Sequence, residues 1–189
     1  MQELDLGRTP IREALQRLAT ENLVLLALRR GMFVAGVSIT DLTKIVEARA
    51  CLEGLCARLA TERASPAQLD LMEEIIQRLD VVSEGDSEGL LAIDRAFHEL
   101  LCETAHNEFM AQVLRRLYAL SVRMWRRLHR LGDWRGDVEK HGHIAQALKV
   151  RDAERAEALL QQQIGGFSAT HQGHPVDGGR ELDPAAVPI

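Results

Sequence analysis

The sequence predicts a mostly α protein: one short helix and a β-hairpin at the start, followed by an antiparallel six-helix bundle. Three observations carry this. Apolar residues recur at spacings of three and four from Ile11 to Leu18 and again across residues 38–165. A single stretch, residues 23–37, has two short apolar runs with glycine between them. Aromatic residues make up only 4% of the chain, proline is sparse, and Leu, Ala, Arg and Glu dominate, which favours helices over sheets.

The first helix is announced by Thr9-Pro10. A threonine hydroxyl accepts a bond from a first-turn amide, and a proline next to it lacks an amide hydrogen that the first turn leaves unused. Ile11, Leu15 and Leu18 form one apolar stripe, while Arg8, Arg12 and Glu13 surround the polar N-terminal end. Arginines there suit phosphates and guanine edges, so the segment reads as the recognition helix of a winged helix-turn-helix; a solvated amphipathic helix is the competing reading. After Glu21-Asn22, residues 23–28 and 32–37 flank Arg29-Arg30-Gly31 as a hairpin, a wing with arginines at its tip. Little precedes Arg8. The winged helix-turn-helix is therefore expected to be partial, through truncation or a misplaced start codon, with the apolar stripe short of packing partners.

From Ser38 the pattern is helical throughout. Ser38 to Asp41 opens a helix running through Leu42, Ile45, Leu52 and Leu59, and Ser65-Pro66 caps a second that reaches about Val82. Residues 83–86 break the chain before a third helix carrying residues 90–101. A break at 104–107 precedes a long helix from about Glu108 to Arg130. Beyond the glycine-flanked segment 132–136, two final helices are expected at roughly 138–150 and 152–165. Short connections between six helices make an antiparallel bundle. The expected domains are residues 1–37, residues 38–167, and a disordered tail over 168–189 that holds Gly173, Pro175, Gly178, Gly179, Pro184 and Pro188.

Composition excludes several classes. A net charge of −5 argues against nonspecific coating of nucleic acid by the whole chain, while leaving room for a small basic module that reads DNA. Cys51, Cys56 and Cys102 are odd in number and lack C-x-x-C spacing, so they are expected to be buried small hydrophobes. No stretch is long and apolar enough to span a membrane and no signal-peptide pattern opens the chain, so a cytoplasmic location is expected. No Ser-His-Asp or Cys-His arrangement and no Gly-rich phosphate loop is legible, and an enzyme is not expected.

The chemically loaded positions are an aspartate and several histidines. Asp94 and His98 lie four apart among Leu90, Leu91, Phe97 and Leu101, so on a helix they share a face. A carboxylate in so apolar a helix needs a partner; a metal ion is one, an Asp-His hydrogen-bonded pair or a solvated helix edge the other. His141 and His143 are two apart and face different ways, so at most one joins a given site.

Two resemblances sharpen this reading. The segment R-T-P-I-R-E-A-L-Q-R-L at residues 8–18, with the wing through residue 34, resembles the DNA-binding domain of the GntR transcription regulators; Gly7 stands where that family usually has Ser or Thr. The resemblance implies DNA contacts from Arg8, Thr9 and Arg12 on the helix and from Arg30 with Gly31 on the wing. Residues 41–165 resemble the FCD effector-binding domain of the FadR-type branch. The shared patterns are Arg49-Ala50-Cys51-Leu52-Glu53, the alanine-rich run 57–64, the D-x-x-F-H signature at residues 94–98, the E-H-x-x-I signature at residues 140–144 with Lys140 for Glu, and R-D-A-E-R-A at 151–156 with Arg151 for Gly.

In metal-binding members this second resemblance implies an ion held by Asp94, His98, His141 and a fourth group, which falls on Gln163 where the family has histidine. The expected ion is zinc, nickel or manganese, with Gln163 favouring the harder manganese because an amide oxygen is a poorer ligand for the other two. Arg49 and Arg123 are the expected partners of a small carboxylate effector, with surface salt bridges as their alternative role. The combined expectation is a homodimeric regulator of a double-stranded DNA operator, controlled by an organic acid. The alternatives are an effector-binding or dimerisation protein that has lost DNA binding with its upstream helices, and a small metal-dependent hydrolase using Asp94, His98 and His141.

Overall fold

The computed structural model describes residues 7–20, 23–27, 31–35, 39–128 and 135–171. These fall into two compact units, one holding the described residues up to 39 and the other those from 40 to 171.

In the first unit, α1 (Arg8–Thr20) is followed by β1 (Val24–Ala27) and β2 (Gly31–Val34), paired antiparallel from Val24 opposite Val34 to Ala27 opposite Gly31. The helix begins at Arg8, so Thr9 lies inside the first turn instead of capping it. Pro10 still occupies that turn, where an amide hydrogen has no helical acceptor. Gly31 has φ +99°, a left-handed backbone that a side chain resists. Two backbone bonds tie the unit together, Leu23 N–H to Leu18 O and Ala35 N–H to Leu23 O, both at 2.9 Å. Val24 and Ala35 are buried, but Ile11 and Leu15 are only half-buried and Leu18 is 37% exposed.

The second unit is a helical bundle: α2 (Ile39–Arg63), α3 (Pro66–Gln77) continued by a 3-10 turn (Arg78–Val81), α4 (Ser87–Thr104), α5 (Glu108–Leu128), α6 (Arg135–Glu139), α7 (His141–Lys149) and α8 (Ala153–His171). Its caps follow the sequence. The Ser65 hydroxyl accepts from the Gln68 amide while the Gln68 side chain accepts from the Ser65 amide, with Pro66 at the first helical position. Asp86 accepts from Gly89 at the start of α4. Phe97, Met72, Leu101, Leu114, Ile144, Leu148 and Leu160 are fully buried, each worth about 2 kcal/mol of transfer free energy. α4 packs against α3, α5 and α6, and α7 against α3 and α8.

The fold class is as the sequence predicts, with differences in detail. The expected penultimate helix, 138–150, is interrupted at Lys140, so the bundle has seven α-helices among the described residues. The cause is local. In an unbroken helix the carbonyls of Asp137 and Val138 would accept from the amides four residues on. Here they accept from side chains instead: Gln163 Nε2 at 3.0 Å and His141 Nδ1 at 2.7 Å. α8 runs to His171, past the expected start of a tail at residue 168, and residues 172–189 of that expected tail lie outside the described residues. Cys56 and Cys102 are buried as expected, whereas Cys51 is exposed, on the outer face of α2.

Arg151 occupies a glycine-like position. It has φ +61° just beyond α7, where its amide donates to Leu148 O and that of Asp152 to Ala147 O, the Schellman arrangement that usually ends in glycine. The arginine has a use there. Its guanidinium donates to Thr61 O and Ala64 O, both at 2.8 Å, engaging carbonyls at the end of α2.

Candidate metal and anion site

Asp94 and His98 sit one turn apart on α4, and His141 opens α7; all three are buried, and their ligand atoms lie within 4.8 Å of one another. Phe97, fully buried, packs its ring against both imidazoles, with centroids 5.7 Å from His98 and 4.3 Å from His141. The break after α6 places His141 at a helix start, where its Nδ1 donates to the Val138 carbonyl and its Nε2 turns inward.

The three inward atoms form a nearly equilateral triangle. Asp94 Oδ1 is 3.6 Å from His98 Nε2 and 3.5 Å from His141 Nε2, and the two imidazole nitrogens are 3.3 Å apart. A tetrahedral ion with bonds of roughly 2.1 Å spaces its donors roughly 3.4 Å apart, so the triangle fits one face of such a site. Gln163, on α8, comes to the same place with its nitrogen foremost: Nε2 is 3.0 Å from His141 Nε2 and donates to Asp137 O, while the buried Oε1 has no hydrogen-bond partner. The fourth position therefore presents a donor rather than the amide oxygen expected of a ligand.

Behind the triangle lies a second layer. Glu53 on α2 meets His98 Nδ1 through Oε2 and accepts from Arg49 Nε through Oε1 at 2.6 Å. The Arg49 guanidinium also lies 5.2 Å over the ring of Tyr118, whose hydroxyl donates to Asp94 Oδ2 at 2.7 Å. Burial opposes every charge here, and pairing decides which survive. Against that cost, Arg49 and His98 hold the Glu53 carboxyl down to about 2, and Glu53 with Asp94 carry His98 up to about 10. The Asp94 carboxyl is likewise lowered by His98, His141 and Tyr118 in spite of its burial. His141 goes the other way: burial and the neighbouring His98 cation outweigh Asp94 and lower it to about 4. The cluster thus holds two cations, Arg49 and His98, against two anions, Glu53 and Asp94, with His141 neutral.

A small cleft, partly open to solvent, reaches this cluster; Arg49, Asp94, His98, Ser121, Asp137 and Gln163 supply its polar lining. Arg49 lines this cleft, and its hydrogen bond to Glu53 runs through Nε. Arg123 is not part of that lining; it is partly buried on α5, and burial lowers its pKa. His143 is exposed and points away, as its spacing from His141 requires. Sequence reasoning missed Glu53 and Tyr118. The arginine and glutamate four apart on one helix were a legible signal for Glu53, whereas the chain's one tyrosine carried none.

Of the residues expected to touch DNA, Thr9 and Arg12 are exposed on α1 and Gly31 opens β2. Arg8 begins α1 with its side chain outside the described residues, as is the whole of Arg30.

Comparison with known proteins agrees with both halves of the chain. Residues 44–166 match the FCD domain and residues 1–34 match the bacterial regulatory proteins of the gntR family. The chain is 30% identical over 161 residues to the Nta operon transcriptional regulator of Aminobacter aminovorans, covering 84% of this chain and 74% of that protein. It is 28% identical over 160 residues to the HTH-type transcriptional regulator McbR of Escherichia coli, covering 81% and 71%. The solved structure of E. coli McbR/YncC superposes with a TM-score of 0.78 at 24% identity, over 88% of this chain and 85% of that one, a likeness of fold.

Proposed function

Because the chain belongs to the bacterial GntR family and carries its FCD domain, we propose that it is a transcription regulator, not an enzyme, whose operator binding responds to a small carboxylate held in the cleft beside Asp94, His98 and His141. In this reading residues 1–37 supply the DNA-binding part, with Arg8, Thr9, Arg12, Arg30 and Gly31 at the operator, and residues 38–167 supply the sensor. Two copies would read the two halves of a palindrome.

One observation carries the sensor: a triangle of three ligand atoms with edges of 3.3–3.6 Å, opening on a cleft that also receives an arginine. Asp94, His98 and His141 would hold a divalent ion. When bound, the ion would supply a positive charge and an open coordination position facing the cleft. Its entry requires His98 Nε2 to be free of a proton, and the paired charges of the cluster then leave one net positive charge for a carboxylate to neutralise. Gln163 weakens the site for zinc or nickel, since its amide must turn before its oxygen faces the ion.

Metal content of the purified chain, with thermal shifts for a panel of organic acids before and after chelation, tests the proposal. Close to one metal per chain and an acid-induced shift abolished by chelator are expected. Acid shifts that survive chelation would remove the metal and leave the arginine as the anion's partner; no shift with any acid would remove the sensor. An operator selected from random DNA by a chain extended upstream tests the other half, and absence of sequence preference would overturn it.

A further inference from the structure

We propose that Glu53 is a positioning residue that joins the anion-binding side chain of Arg49 to the metal-binding imidazole of His98. The inference rests on the sensor reading above and adds how its two halves communicate.

Glu53 is 1% exposed in the middle of a helical bundle, a place a carboxylate occupies only if both oxygens are engaged. They meet different partners: Oε1 accepts from Arg49 Nε on the same helix, and Oε2 lies in ion-pair contact with His98 Nδ1 on α4, without hydrogen-bond alignment. A carboxylate against Nδ1 decides which ring nitrogen keeps its proton. With a metal bound, the proton would stay on Nδ1, and Nε2 would offer its lone pair to the point shared with Asp94 Oδ1 and His141 Nε2. His141 reaches the same state by a simpler route, its Nδ1 donating to the Val138 carbonyl. Glu53 does for one ligand what a backbone carbonyl does for the other.

The difference is the second oxygen. A carbonyl fixed in α6 reports to nothing, whereas Glu53 is held by Arg49, which lines the cleft. A carboxylate drawn to the terminal nitrogens of Arg49 alters the hold of that guanidinium on Glu53, and with it the hold of Glu53 on His98. Metal and anion affinities must then be coupled, each changing the other by the same factor. A glutamine at this position cannot serve. It offers one acceptor and one donor where Arg49 and His98 both require acceptors.

The test uses the chain as it stands, with zinc as the metal and acetate as the anion. Zinc affinity is measured by chelator competition, with and without acetate, for the wild type, Glu53→Gln and Arg49→Gln. Acetate is expected to change the zinc affinity of the wild type. Glu53→Gln is expected to lose about 10–100-fold in zinc affinity. Arg49→Gln should shift zinc affinity itself, because Glu53 loses its partner, and leave a zinc affinity that acetate no longer changes, a loss of coupling that a merely structural role would not produce. Wild-type zinc affinity in Glu53→Gln, or a surviving acetate effect in Arg49→Gln, overturns the proposal while leaving the metal centre intact. No zinc binding by the wild type removes the metal centre and the proposal together. One readout needs no variant: nitrogen-15 spectra of the zinc-loaded wild type should show zinc on Nε2 and a proton on Nδ1 of His98, and zinc on Nδ1 would overturn the assignment.

Discussion

The two units place their polar chemistry in opposite environments. In the helix-and-hairpin unit the residues with chemical potential, Thr9 and Arg12, are exposed, and the apolar stripe beneath them is half-buried at best. In the bundle, Arg49, Glu53, Asp94, His98 and His141 all have 5% or less of their surface exposed, and neighbours of opposite charge or suitable hydrogen-bonding capacity surround them. The contrast separates two ways of making a recognition surface. An exposed arginine is nearly independent of the fold that carries it. A buried ionic cluster is part of that fold, so altering its recognition alters its stability.

The largest break in that comparison should come from Glu53→Ala, which strands Arg49 and His98 as buried cations. A loss of about 3–5 kcal/mol is expected in denaturant unfolding, and a loss below about 1 kcal/mol would show the cluster to be far less buried in solution. Titration of the metal-free chain should come next. His98, raised to about 10 from 6.5, contributes stability that is fully present below 6.5 and lost as pH rises through 10. His141, lowered to about 4 from 6.5, contributes stability that is lost as pH falls from 6.5 through 4, and Glu53 adds to the acid loss between 4.5 and about 2. Melting temperature in chelator should therefore peak near pH 6.5, and a flat profile between 4 and 10 would contradict the paired cluster.

Arg151 offers a smaller and more discriminating test. Arg151→Ala keeps the left-handed backbone and loses the bonds to Thr61 and Ala64, whereas Arg151→Gly loses the same bonds but relieves the backbone. The alanine variant should be less stable than the glycine variant by about 1 kcal/mol in denaturant melts. The smallest stability effect belongs to the first unit. Arg12→Ala should stay within about 0.5 kcal/mol of the wild type in unfolding and still weaken operator binding by about 1–3 kcal/mol in a titration. A large stability loss there would erase the contrast between the units.

Legibility in the sequence follows the same division. Asp94 and His98 were readable because helical spacing fixes their common face, and His141 because a family pattern names it. Gln163 was readable as a position but not as an orientation. Which end of an amide faces inward depends on the Asp137 carbonyl, left unsatisfied by a helix break that no local signal marks. That break is itself unreadable from residues 135–150, since one of the groups that consume the freed carbonyls comes from α8. Glu53 was quoted within a motif, yet its second partner lies on another helix. Arg123, on α5, does not line the cleft that Arg49 reaches. Thr9 looked like a cap because caps are inferred from residue type, while the helix begins one residue earlier.

The carbonyl of Asp137 also constrains which side chains position 163 can carry. Gln163→His would supply an imidazole as a fourth ligand, but an imidazole whose one lone pair faces a metal has a single remaining N–H to offer, from a ring shaped differently from an amide. The carbonyl at residue 137, now bonded at 3.0 Å, would depend on that one group reaching it. The substitution therefore trades one deficit for another: four strong ligands here require a second change in or around α6 that gives this carbonyl a new donor.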